Sequence, residues 1–147
     1  HENLHQSENL SSVDLAEYLS KLSETIYNTY RTNAGIVQFS AEIKSIPVDL
    51  EKSYPIGLVI NELLSNALKY AFPEGREGEI RISGGLKDNT ANLLVSDTGV
   101  GIPQDFDWRN ADSLGLQITR SLVEDQLQGT IDLDCTHGTK WTITFPV

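Results

Sequence analysis

The sequence predicts an α+β fold, a two-layer sandwich in which three helices cover one face of a mixed, mostly antiparallel sheet. Two observations carry that expectation. Segments with apolar residues at helical spacing are interleaved with segments in which apolar and polar residues alternate, so helices and strands take turns along the chain. The resulting order is α–β–α–β–β–loop–α–β–β, with the later strands in pairs separated by helices.

Residues 1–11 are polar and lack a long period, and are expected to be the end of an upstream helical region or a linker before a domain over 12–147. Asp14 and Glu17 read as a capping box, opening a helix that places Leu15, Tyr18, Leu19, Leu22, Ile26 and Tyr30 on one side. Thr32–Gly35 reads as a turn. Val37, Phe39, Ala41 and Ile43 then alternate with polar residues, as a half-buried strand requires. The second helix is expected from an N-cap at Ser53, with Pro55 in its first turn, to Phe72, where Pro73 stops it. Its stripe is Ile56, Val59, Ile60, Leu63 and Ala67.

A strand is expected over 79–83, a hairpin through Gly84-Gly85 and Lys87-Asp88-Asn89, and a second strand over 91–96. Asp97–Ser113 is a long aperiodic loop of the kind that is usually functional or mobile. A third helix is expected from Leu114 to Gln128, stopped by Gly129. Its apolar residues form no single stripe, so protein is expected on two sides of it. Strands around Ile131–Leu133 and Trp141–Phe145 close the chain across Thr136–Thr139.

Composition narrows the chemistry. The chain has 147 residues, one domain's worth, and 39% hydrophobic content places it among folded proteins. A net charge of −10, from 21 acidic and 11 basic residues, argues against sequence-independent nucleic-acid binding, which relies on Lys and Arg. Any bound nucleotide needs local compensation for its phosphates from a metal, a helix N-terminus or a few placed cations. Cys135 is the single cysteine, so an internal disulfide and a thiolate zinc cluster are excluded, and it reads as a small packed residue. No apolar run is long enough to span a bilayer, and no membrane contact is expected of this stretch. The chain contains no methionine, so it is expected to be a piece of a longer protein.

The second helix carries a polar face. Glu62, Asn66 and Lys69 fall at i, i+4 and i+7, lining up a carboxylate, an amide and an ammonium. A solvated face is the simpler account of such a trio taken alone. The rest of the chain changes that balance. Asp97-Thr98-Gly99-Val100-Gly101-Ile102-Pro103 contains G-x-G after a strand, but Gln104 occupies the last glycine position of a dinucleotide fingerprint and a loop follows. There is no P-loop and no G-x-S-x-G elbow. What remains is an acid at a strand end beside glycines that let backbone approach a flat ligand. An ionised carboxylate only accepts hydrogen bonds, so it selects the exocyclic amino group of adenine over the carbonyl of guanine. Leu114 and Gly115 open a helix, where free N–H groups favour phosphate, and Gly138-Thr139 puts a hydroxyl at a strand start.

With these residues in view, the chain resembles the ATP-binding catalytic domain of sensor histidine kinases, in the superfamily that also holds DNA gyrase, heat-shock chaperone and MutL ATPases and shares the Bergerat fold. N-E-L-L-S-N-A-L-K-Y-A-F-P resembles the N-box, D-T-G-V-G-I-P the first glycine box, S-L-G-L-Q-I the second, and G-T-K-W-T-I-T-F-P the last. The likeness runs from about Val13 to the end.

The resemblance implies a set of roles. Asp97 would bind the adenine amino group, with Gly99, Gly101, Ile102 and Thr139 completing that end of the pocket. Asn66 would ligate Mg²⁺ bridging the phosphates, Lys69 would contact phosphate, and Tyr70 would pack by adenine or ribose. Glu62, with Lys69, would serve catalysis by orienting or deprotonating the attacking group. Leu114, Gly115 and Leu116 would cradle the phosphate tail. ATP and Mg²⁺ are thus the implied cofactors.

Two departures stand out. Ser113 occupies a position that is often glycine in the second glycine box, and no separate phenylalanine box is visible, leaving Phe106 and Trp108 as lid anchors. Arg109, the loop's one cation, reads either as a phosphate contact or as a solvated side chain. The histidines also matter. His1 and His5 are helical neighbours without a third ligand, and His137 reads as a turn residue, so none fits a phosphoacceptor. The implied partners are an upstream dimerisation and phosphoacceptor domain and a response regulator, in a cytoplasmic setting. This chain is therefore expected to bind ATP without labelling itself efficiently. Two rivals stand beside the histidine kinase: a serine kinase of the anti-sigma-factor type, and a degenerate module that only binds partners.

Overall fold

The computed structural model describes residues 12–31 and 36–147, so the expectations for residues 1–11, with His1 and His5, and for the turn at 32–35 lie outside the described residues. In chain order the elements are β1 (Ser12–Asp14), α1 (Leu15–Tyr30), β2 (Val37–Ile43), β3 (Pro47–Asp49), α2 (Leu50–Tyr70), β4 (Gly78–Lys87), β5 (Thr90–Asp97), α3 (Leu114–Ser121), β6 (Thr130–Asp134) and β7 (Thr139–Pro146). Short 3₁₀ turns occupy Pro73–Gly75 and Trp108–Asn110, and one π turn, Leu122–Gln126, continues α3.

Alternation in the sequence becomes a five-stranded sheet in the order β2-β4-β5-β7-β6. Only β2 and β4 run parallel, so the sheet is mixed and mostly antiparallel. Ala91, Leu93 and Val95 are buried while Asn92, Leu94 and Ser96 between them are half-buried, so one face of β5 meets the core. Register extends that face across the sheet: Ile82, Val95, Trp141 and Leu133 make one row, and Leu93, Ile143 and Ile131 the next. Over these rows lies α2, whose predicted stripe of Ile56, Val59, Ile60, Leu63 and Ala67 is buried as expected, with Leu64 added. Each fully buried Ile or Leu contributes about 1.5–3 kcal/mol. That repeated term holds the helical and sheet layers together.

Local differences have physical causes. The acid of the expected capping box does cap α1, but not in reciprocal form. Asp14 accepts from Ala16 N at 3.0 Å, from Ile46 N at 2.9 Å and from Ser45 Oγ at 2.8 Å, while Glu17 pairs with Lys21. These bonds sit beside a small antiparallel pair, β1 with β3, which the sequence did not reveal. Because β3 runs straight into α2, the helix starts at Leu50 rather than after Ser53. Ser53 is buried and donates to Leu50 O, and Pro55 lies inside the helix instead of in its first turn.

The glycines Gly84-Gly85 are paired within β4 and not part of the turn. A Cβ at Gly84 would lie 2.4 Å from Asn92 O, so the strand needs glycine for close approach. The turn is Asp88-Asn89, with Lys87 facing Thr90. The third helix gives way to the π turn, and Gln128 rather than Gly129 takes the left-handed conformation after it. Nor is α3 covered on two sides, since Leu114 and Ile118 are exposed.

Candidate functional site

Between α2 and the end of β5 lies a cavity of about 500 Å³. The helix supplies Glu62, Asn66, Lys69 and Tyr70 to its wall, because residues three and four apart share a face. Asp97 and Thr139 come from the sheet, and Gly101, Ile102, Ser113 and Leu116 from the loop and the start of α3. Nine residues proposed from sequence therefore meet in one place. Gly99, Leu114 and Gly115 do not line it. Leu114 is 69% exposed. The other two glycines act through packing, as described below.

Asp97 ends β5, in register with Ile80 on one side and Thr139 on the other. Only 7% of its surface is exposed. Its Oδ1 accepts the Gly99 N–H at 2.9 Å, and the Thr139 N–H donates to the same carboxylate. Burial pushes its pKa above the ordinary aspartate value, and the two backbone donors pull partly against that. The carboxylate is thus held in place by main-chain groups on both sides. Gly101 then turns the chain at φ +76°, close against the Gly138 carbonyl, where a side chain would be strained and crowded.

Gly99 has a different reason to be glycine than the one read from sequence. A Cβ there would lie 2.3 Å from Ala71 O, and the next residue, Val100, donates to that same oxygen at 2.8 Å. The close approach is to the C-terminal end of α2, not to a flat ligand. It ties the strand end carrying Asp97 to the helix carrying Asn66.

On α2, Asn66 Nδ2 donates to Glu62 Oε1 at 3.2 Å. That bond uses the amide's nitrogen and leaves its carbonyl oxygen as an acceptor, the hard donor that Mg²⁺ takes. Among the described residues no three His, Cys, Asp or Glu side chains converge on a metal position. Such a site suits a cation that brings its remaining ligands as water and phosphate, so the residues fit Mg²⁺ in that form. Glu62 also sits against the first turn of α3, where a Cβ at Gly115 would lie 1.8 Å from Oε1. Gly115 makes room for the Glu62 carboxylate, which is how the second glycine box reaches the site.

Arg109 does not line the cavity and keeps an exposed side chain, as the solvated reading expects, but it is paired. It bonds Glu124 at 3.0 Å and Ile131 O at 2.8 Å, approaches Asp132 at 3.5 Å, and lies over Trp108. Arg120 and Arg109 hold Glu124 below the ordinary glutamate pKa, with the Arg120 hydrogen bond the larger cause. The far end of the loop is thereby fastened to β6 and the π turn. Trp108 meets Trp141 edge to face at 5.0 Å, which packs this part of the loop against β7. Cys135 is half-buried and free just after β6.

Sequence reasoning missed Leu63, Ala67, Ala71 and Trp141 as wall residues, having read them as core or passed over them. The signal was available: Ala67 and Ala71 continue the Leu63 face at i+4 steps, and Trp141 shares Thr139's side of its strand.

A mixed sheet beneath three helices, with its crevice between a strand end and the central helix, defines the two-layer ATPase sandwich. The chain belongs to the family described as "Histidine kinase-, DNA gyrase B-, and HSP90-like ATPase", which matches residues 51–147. It is 32% identical over 133 residues to blue-light-activated histidine kinase 2 of Erythrobacter litoralis, covering 89% of this chain and 37% of that one. It is 37% identical over 87 residues to the sensor histidine kinase PdtaS of Mycobacterium tuberculosis, covering 58% of this chain and 17% of that protein. The histidine kinase domain of the Erythrobacter litoralis EL346 blue-light-activated kinase superposes with a TM-score of 0.82 at 29% identity, over 91% of this chain and 61% of that one. The chain thus spans well under half the length of these curated relatives.

Proposed function

We propose that this chain is the ATP-binding catalytic domain of a two-component sensor histidine kinase, transferring the γ-phosphate of ATP to a histidine on a dimerisation domain outside it. One observation carries the reading. A single cavity joins a buried acid at a strand end to an acid–amide pair on the facing helix, so the two ends of a nucleotide have different, suitable partners.

In this reading Asp97 accepts the adenine amino hydrogen, and Gly101, Ile102 and Thr139 close around the base. Tyr70, exposed at the rim, packs beside base or ribose. Asn66 offers its carbonyl oxygen to Mg²⁺, which when bound neutralises phosphate charge. Lys69 adds a second positive charge at the phosphates, and Leu116 and Ser113 bound the tail at the start of α3. Glu62, held by Asn66, orients or deprotonates the attacking imidazole. Positioning and charge neutralisation supply most of the rate in phosphoryl transfer, and every group here serves one of them.

His137 is exposed in the turn before Thr139, at the base end of the cavity rather than beside Glu62, which supports an acceptor on another domain. A response regulator as the next acceptor and a cytoplasmic setting belong to the same proposal. No helix among the described residues is long and apolar enough to cross a membrane. Phosphorylation of the longer protein tests the reaction: acid-labile label supports transfer to histidine, and acid-stable label supports the serine kinase instead. A domain that binds no ATP analogue with Mg²⁺ would be the partner-binding module.

A further inference from the structure

We infer that Tyr30 is a positioning residue for Lys69, holding its ammonium at the edge of the nucleotide cavity. The inference rests on the reading of Lys69 as a phosphate contact and adds to it a residue on a different helix.

Lys69 lies in the last turn of α2, and Tyr30 is the final residue of α1. The Lys69 Nζ sits 4.9 Å from the centroid of the Tyr30 ring. Among the described residues this ammonium has no carboxylate partner, since the ion pairs involve Lys21, Arg81, Arg109 and Arg120. The aromatic face is therefore what the structure gives it. The ring is half-buried and packs on the core, so it is the fixed member of the pair. Lys69 is the flexible one, with four torsions between backbone and charge.

The placement matters because Lys69 stands on a wall between two cavities. One is the nucleotide crevice. The other, of about 580 Å³, lies beyond it and is lined by Tyr30, Lys69, Phe72 and the 3₁₀ turn at Pro73–Gly75. An unrestrained lysine at such a divide spends its time on both sides and in open water. The Tyr30 ring, which lines the second cavity, limits that search and keeps the charge at the divide, within the lysine's reach of the crevice, without neutralising it. A carboxylate in the same place would hold the ammonium more tightly and cancel the charge the phosphates need.

The expected effect is modest and selective. An exposed cation–π contact of this kind corresponds to about two- to fivefold in affinity. The test is calorimetry on this chain, with Mg²⁺, using a non-hydrolysable ATP analogue and adenosine in parallel. Tyr30→Leu is expected to weaken the ATP analogue by that factor and leave adenosine unchanged. Tyr30→Phe keeps the ring and is expected to match the parent. Replacing residue 30 by trifluorophenylalanine keeps size and burial but removes the ring's negative face, and is expected to behave like Tyr30→Leu even if the leucine variant folds poorly. In a Lys69→Met background, none of these changes should matter.

Equal loss for both ligands, an undiminished effect without Lys69, or a fluorinated ring as good as phenylalanine would each overturn the positioning role. Absence of adenosine binding in the parent protein would instead remove the nucleotide reading itself, and the role of Tyr30 with it.

Discussion

Glu62 and Gly115 occupy each other's space: the carboxylate Oε1 stands 1.8 Å from where a Cβ on Gly115 would be. Two consequences of Gly115→Ala can be separated. The atom it meets is the end of a side chain, so Glu62 swings away and the fold adapts. Alanine is also the better helix former by about 1 kcal/mol, and Gly115 lies in the first turn of α3. Stability is therefore expected to stay level or rise. Phosphotransfer, measured with the acceptor domain supplied, is expected to fall about a hundredfold, the low side of what a positioned acid or base contributes. Adenosine affinity should not change. A variant with full transfer activity would separate Glu62 from the chemistry.

Asp97→Asn tests the base end. The amide keeps an oxygen for the Gly99 N–H but replaces the second acceptor by a donor, which faces the adenine amino group donor to donor. A hydrogen bond to a charged group is worth about 1.5–3 kcal/mol, so ATP and adenosine affinity should both drop roughly ten- to a hundredfold. Thermal unfolding of the free protein should change little, because the variant also removes a desolvated charge. Unaltered adenosine binding would refute the assignment.

The raised pKa of Asp97 gives opposite pH dependences for folding and for binding. A folded-state value above the unfolded one means that the native state takes up the proton first. Its contribution to stability is thus present at low pH and lost as pH rises from the ordinary aspartate value through the raised one. Binding needs the ionised form, so adenosine affinity should fall as pH drops through that same raised value. Titrations from neutrality to about pH 4 should show the fall in the parent protein and a flat line in Asp97→Asn. Adenosine is the right probe because it carries no phosphate to titrate.

Asn66→Ala isolates the metal end. Losing the carbonyl oxygen should abolish most of the difference in ATP-analogue affinity with and without Mg²⁺, and leave adenosine affinity at the parent level. It also releases Glu62 from the 3.2 Å bond, so transfer should fall further than affinity does. Retained magnesium dependence would place the ligand elsewhere.

What the sequence made legible was whatever repeats locally. The alternation at 91–96 and the stripe from Ile56 to Ala67 become buried faces, and the alternation at 37–43 a half-buried one, because side-chain period decides which face meets the core. Asp97, Asn66 and Glu62 were legible as chemical types at motif spacing. Long-range contacts were not. The β1–β3 pair consists of two three-residue strands more than thirty positions apart, and no local period marks them. Gly99 and Gly115 were read as facing a ligand, whereas one accommodates Ala71 and the other Glu62. Glycine announces that something comes close without saying what. The partners of Arg109 were illegible for a similar reason, since Glu124 and Ile131 reach it only after the π turn brings them round.

The central claim is that an acid at a strand end reads adenine while an amide on α2 holds the metal at the phosphates. Calorimetric titration of this chain with non-hydrolysable ATP and GTP analogues, each with Mg²⁺, tests it most directly. The account predicts saturable binding of the adenine nucleotide and at least about a hundredfold weaker binding of the guanine one, because a carboxylate facing the guanine carbonyl leaves two buried acceptors unpaired. Equal affinity for the two, or no heat with either, would contradict it.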